Sequence, residues 1–197
     1  MNYKEFYSDN QKWISSALWL FGLSIIAGAA AAFYYPDLMD SISRGFEERF
    51  AETPHLNGHL AREIFQQNVT ASLIAWIGGL LIGLAPVFAI ILNGFILGYV
   101  AAYIMISSGA IFGSIIFLII GLVPHAIFEI PAFLMAAVLG MNLGLNWIAP
   151  QAKGKRWEVF KDSVQHTSYY FIVVIVLLSI AAGVEVFVSG KLLEKLQ

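Results

Sequence analysis

Apolar positions in this chain fall in long uncharged blocks, and the blocks predict its elements. From Ala17 to Tyr35 nineteen consecutive positions carry no charge, enough for about 28 Å of α-helix. After Glu63 more than sixty residues pass before the next ionisable side chain other than tyrosine, His125. Ala132 to Ile148 continues in the same vein, and a last block runs from about Ser168 to Val188. Blocks of this length are membrane-spanning helices, so the predicted fold is all-α, a polytopic transmembrane bundle. Ala29-Ala30-Ala31 resembles a small-residue cleavage site, but the first block is long for a signal peptide and is read as a retained span.

Polar stretches separate the blocks. Residues 1–16 form a tail with Lys4 and Lys12 against Glu5 and Asp9, and with interfacial aromatics. In residues 36–66, Leu38, Ile42, Phe46 and Phe50 recur at four-residue steps, predicting an amphipathic helix that lies on the membrane or against the rest of the protein. Residues 150–166 hold the densest basic cluster: Lys153, Lys155, Arg156 and Lys161. The positive-inside rule places this loop and the tail in the cytoplasm, and the 36–66 segment, whose three arginines face six acids, outside. An odd number of crossings between Asn68 and Ile148 is then required. Three fit the 67–148 core: 67–91, 94–121 and 124–148, with Asn93-Gly94 as the inner turn and Gly121-Leu122-Val123-Pro124 as the outer one. The expected total is about five spans, with a broken or re-entrant region around 107–131 in which an extra apolar piece splits at Ser107-Ser108-Gly109.

Composition narrows the class. The chain has 197 residues, 59% of them hydrophobic, and a mean hydropathy of +0.76, outside the soluble range and consistent with a single multi-pass domain of the cell membrane. A formal net charge of −2 argues against nucleic acid as a partner. With no cysteine there are no disulfides, thiol nucleophiles or thiolate metal sites. Gly79/Gly83, Gly94/Gly98, Gly109/Gly113 and Gly140/Gly144 are small-xxx-small pairs that let helix backbones approach, and they predict a compact bundle or a homodimer held by glycine-rich faces. Nucleotide-binding loops, Gly-x-Ser-x-Gly and His-Glu-x-x-His are absent, and no catalytic residue is assigned.

The candidate chemistry lies in a few buried polar residues. Gly121 ends one helix and Pro124 starts another, which sets His125 and Glu129 one turn apart on one face. Pro131 cannot donate to the carbonyl of Ile127, leaving an acceptor free beside that face. Glu129 lies five residues from Pro124 and Glu185 five from Gly190, so each sits about 7 Å below the same membrane edge. Asn68 is near the same edge. His125, Glu129 and Glu185, with Asn68 beside them and Asn93 as a further polar candidate, are therefore the candidate site: a metal site for a divalent cation such as zinc, a shared proton, or an imidazolium bridging two carboxylates. The plainer alternative is a proline-kinked helix whose His and Glu merely pair. His55, His59 and Glu63 share a helical spacing too, but such a trio is commoner as a solvated face.

Ile64-Phe65-x-x-Asn68, Asn93-Gly94-x-x-x-Gly98, Pro124-His125-x-x-x-Glu129-x-x-Ala132, Gly140-x-x-x-Gly144 and Ala181-Ala182-x-x-Glu185 together resemble the stage II sporulation protein M family of integral membrane proteins. The resemblance runs over nearly the full length, and Pro-His-x-x-x-Glu is its most specific part. Ala126 departs from it, since glycine is expected after the histidine. The resemblance implies a multispan helical fold and a scaffold or anchor that assembles protein partners at the membrane. In endospore formers such a protein holds two peptidoglycan-degrading partners at the septum. The rival classes are an ion- or proton-coupled transporter or channel, and a metal-dependent membrane enzyme.

Overall fold

The computed structural model describes residues 3–39, 58–107, 111–121 and 123–194. The amphipathic run Ile42, Phe46 and Phe50, and His55, lie outside them. Every long element is helical: α1 (Tyr3–Tyr34), α2 (Gly58–Ile77), α3 (Leu84–Ser107), α4 (Ile111–Gly121), α5 (Val123–Leu145), α6 (Arg156–Val184) and a short α7 (Lys191–Glu194). A π-helical turn, Glu185–Gly190, joins α6 to α7. Helices within α1, α3, α5 and α6 are long and apolar enough to cross a membrane. The fifth long helix, α2, has twenty residues but carries Arg62 and Glu63 in its early turns. The eleven described residues of α4 extend about 16 Å and are bounded on both sides by residues outside the described ones.

Two parallel helix pairs build the bundle. Gly94 of α3 meets Phe21 and Ser24 of α1, Gly98 meets the backbone of Ile25, and the Tyr99 hydroxyl donates to the Tyr35 carbonyl at 2.7 Å, so α1 and α3 ascend together. Gly140 meets Ala75 and Trp76, and Gly144 meets Gly79 and Gly83, so α2 and α5 descend together. α6 runs back along α5, with Trp147 on Phe160 at the start of the return and Glu129 beside Glu185 at its far end. One end of the bundle, here called basal, therefore gathers Asn10, Gly83, Asn142, Trp147 and His166. The apical end gathers His125, Glu185, α4 and α7. Between them Ala132, Ala136, Leu139, Val174 and Leu178 form a fully buried seam of α5 against α6.

The break expected from Gly121 to Pro124 turns on Leu122, which lies outside the described residues; Gly121 and Val123 on either side of it are helical. α5 continues through Pro131. The predicted inner turn at Asn93-Gly94 is not present. Both residues lie inside α3, where the glycine is used for close packing on α1 and the Asn93 amide bonds the Ala89 carbonyl at 2.9 Å. The turn sits earlier, at Leu81–Gly83, where Ile82 and Gly83 take φ of 55° and 68°. Pro86 follows in the first turn of α3, the one part of a helix that tolerates it. The boundaries 67–91 and 94–121 shift accordingly, and α4 occupies part of the 107–131 region, whose residues 108–110 and 122 lie outside the described residues. α6 also starts twelve residues before the last apolar block, so 156–166 of the 150–166 loop is helix.

The Gly79/Gly83, Gly94/Gly98 and Gly140/Gly144 pairs are used for packing inside the chain, while Gly109 lies outside the described residues. A Cβ at Gly28 or Gly98 would meet α1–α3 backbone, and one at Gly79, Gly140 or Gly144 would meet α2–α5 backbone. These glycines are covered by the chain's own backbone and do not offer a face to a second copy.

Candidate functional site

The apical polar residues come together from three helices. His125 and Glu129 stand on one face of α5, with His125 Nε2 4.0 Å from Glu129 Oε2. Glu185 arrives from the opposite direction, at the point where α6 gives way to the π-turn. Its backbone N–H is shared between the carbonyls of Ala181 and Ala182, and the widened turn lets the side chain face α5. One ligand atom from each of His125, Glu129 and Glu185 lies within 4.8 Å of the other two. From α2 the Asn68 amide hydrogen-bonds the Glu129 carboxylate.

The surroundings are apolar but not closed. A cavity of about 420 Å³ is lined on its polar side by Gln67, Asn68, Asn93, His125, Glu129 and Glu185 and on its apolar side by residues of α2 and α3. A smaller one, about 110 Å³, touches His125 and Glu129 from the side of Phe21 and Phe133. His125 is 9% exposed. Its ring interacts with the backbone of Gly121, while Nδ1 is shut off from solvent without a hydrogen bond of good geometry. Nε2 is thereby the nitrogen that faces the carboxylates.

Two carboxylates and an imidazole this close need a cation or a proton between them. The donor set of one nitrogen and two oxygens is one that zinc accepts, with room for a fourth ligand from solvent. Bonds of about 2.0–2.2 Å would draw each of the three atoms inward by less than about 1 Å. Asn68 would then orient one ligating carboxylate from outside the coordination sphere, as supporting hydrogen bonds commonly do.

The structure brings the candidate residues near one another. His125, Glu129, Glu185 and Asn68 meet as the depth argument required. Asn93, a candidate site residue expected at a turn, reaches the cavity from the middle of α3. Gln67 was missed, although it neighbours Asn68. His59 pairs with Glu63 at 3.3 Å on an exposed face, away from the cluster.

A model of the family described as stage II sporulation protein M matches residues 17–190. The chain belongs to that family. The matched span takes in every residue of the cluster, so the apical site sits within the family's common part and not in an appendage. A relative in Methanocaldococcus jannaschii, an uncharacterized protein, is 27% identical over 130 residues, which cover 66% of this chain and 70% of that one. No solved structure matches. Membership establishes a membrane protein of the sporulation protein M type.

Proposed function

We propose that this chain is a multi-pass scaffold of the cell membrane whose apical site binds a divalent cation, zinc first, and so fixes the end of the bundle that partner proteins meet. The observation that carries this is the approach of His125, Glu129 and Glu185 to within 4.8 Å from two helices running in opposite directions. A cation held by all three ties the π-turn to the start of α5. α4 and α7 rest on that turn, so the tie orders the apical surface. The basic 153–161 segment and the start of α1 share the basal end, which supports a cytoplasmic basal face and an external apical one. Self-association belongs to the same proposal, through lipid-facing side chains and not through the glycines.

The buried seam between the site and the basal end favours a scaffold over a channel, because α5 and α6 leave no solvent beside Leu139, Val174 or Leu178. Elemental analysis of the purified protein tests the reading. Bound zinc near one per chain is expected, and a Glu185→Gln variant should lose it. Metal-free preparations whose melting temperature ignores added zinc would overturn the cation site. Proton or cation flux into liposomes that vanishes with Glu129→Gln would favour transport over scaffolding.

A further inference from the structure

The basal end carries a second built feature, independent of the apical site. Trp147, Arg156, Trp157 and Phe160 line a cavity of about 470 Å³ that Leu80 closes from the end of α2. Its walls are ordered ring on ring: Trp157 stacks on Phe160 with centroids 5.5 Å apart, and Trp147 meets Phe160 edge-on at 6.0 Å. Lys161 Nζ lies 5.2 Å from the Trp157 ring centroid. Trp157 is 65% exposed, and Trp147 Nε1 makes no hydrogen bond.

Charge is sorted around this slot. Arg156, Trp157, Phe160 and Lys161 follow the i, i+1, i+4, i+5 spacing of a single helix face. Glu158 and Asp162, two and six positions after Arg156, fall on the other side of α6. Lys153 and Lys155 add to the basic rim from the preceding turn and are exposed. Topology explains why positive charge gathers at this end. It does not explain why the positive face of α6 is also the face that builds an aromatic cavity.

We propose that this slot seats an anionic phospholipid, with its phosphate on Arg156 and Lys161 and the first part of an acyl chain against Leu80, Trp157 and Phe160. A zwitterionic head group would bring its own cation to Arg156, whereas an anionic one meets only complementary charge. Arg suits the phosphate because its planar fork can bind two oxygens at once. A free anion would use the rim but leave the apolar slot unfilled, so the aromatic lining selects the lipid. Trp at this level matches the interfacial position that amphipathic rings prefer.

The test uses the full chain reconstituted in phosphatidylcholine vesicles that contain a minor share of phosphatidylglycerol, with bromine on the acyl chains of one lipid or the other. Bromine quenches tryptophan on contact. Lipid-facing residues such as Trp19 give both lipids the same background, so the proposal predicts extra quenching by brominated phosphatidylglycerol at equal mole fraction. Each basic contact contributes about a fivefold preference, so Arg156→Gln with Lys161→Gln should remove the excess. Trp157→Phe keeps the slot and removes its most exposed reporter, and should cut the excess sharply even if the double variant fails to fold. Equal quenching by the two lipids, or an excess indifferent to Trp157→Phe, would overturn the assignment. Abolition of the excess by millimolar inorganic phosphate would identify a phosphate site in place of a lipid one.

Discussion

The two ends of the bundle both hold polar groups among apolar helices, and they resolve the problem in opposite ways. At the basal end Asn142 Nδ2 donates to Asn10 Oδ1 at 2.8 Å, and Asn10 Nδ2 donates to the Phe6 carbonyl at 3.0 Å. Both residues are buried, at 0% and 5% exposure. Donors and acceptors of this pair match one another, so nothing further is needed. At the apical end two carboxylates and an imidazole converge beside a cavity, and their charges balance only with a proton or cation added. Polar groups that complete one another hold a fold together. Polar groups that leave a charge imbalance beside a cavity are built for something that arrives.

The largest effect that would break this contrast lies in the helix seam that keeps the basal end closed. Gly144→Val places side-chain atoms into the backbone of Gly79 and Gly83 just after α2, where the groups met are backbone and no flexible side chain can move aside. Overpacking a core already costs about 1–3 kcal/mol, and a backbone collision costs more. The expected outcome is loss of monodisperse protein in gel filtration. Gly183→Ala should behave as the wild type or slightly better, because a Cβ there meets nothing within 4 Å. Normal yield of Gly144→Val would mean that α2 and α5 are not packed as described.

Next in size is the asparagine pair. Asn10→Ala leaves the Asn142 amide buried without its partner, at a cost of about 1–3 kcal/mol. The Asn10→Ala/Asn142→Ala double variant should lose less than the sum of the two singles, and thermal melts in detergent read the difference. Strict additivity would show that the pair makes no hydrogen bond in solution.

How far the sequence carried each end follows from where its signals lie. His125 and Glu129 stand out because no other ionisable side chain but tyrosine occurs for more than sixty residues before them, and counting helix rise from Pro124 and Gly190 puts Glu185 at the same depth. The basal pair has no such signal, since Asn10 sits in a polar tail and Asn142 in the otherwise apolar second half of α5; only the antiparallel crossing of α1 and α5 joins them. Asn93-Gly94 misled because Asn-Gly is a turn signal in aqueous loops, whereas inside a membrane helix the glycine serves close packing and the asparagine caps its own preceding turn. The actual turn was marked by Gly83 and Pro86. The all-helical class was legible from block length alone.

The contrast is sharpened by a substitution whose sign should reverse between the ends. Glu185→Gln keeps the shape of the side chain and removes one of two facing charges, so metal-free protein should be as stable as the wild type or about 1 kcal/mol more stable. At the basal end the equally mild Asn10→Ala only destabilises. Added zinc should raise the melting temperature of the wild type and leave Glu185→Gln unmoved. A metal-free Glu185→Gln protein clearly less stable than the wild type would mean that Glu185 has a structural partner, and the apical end would then be a closed clamp like the basal one.

The smallest expected effect concerns the joint between α2 and α3 at the basal end. Ile82 holds φ of 55°, a left-handed conformation that crowds any Cβ and is worst for a β-branched side chain. Its side chain is 61% exposed, so little packing is lost when it is removed. Relief of the backbone strain is worth about 1–2 kcal/mol, but glycine gives back about 0.5–1 kcal/mol through a looser unfolded chain. Ile82→Gly should therefore raise stability by roughly 0.5–1 kcal/mol. Ile82→Asn should do about as well, since asparagine tolerates this region without the extra freedom of glycine. If both variants melt lower than the wild type, contact of the Ile82 side chain with lipid outweighs the strain, and the closed end is sealed partly by the membrane around it.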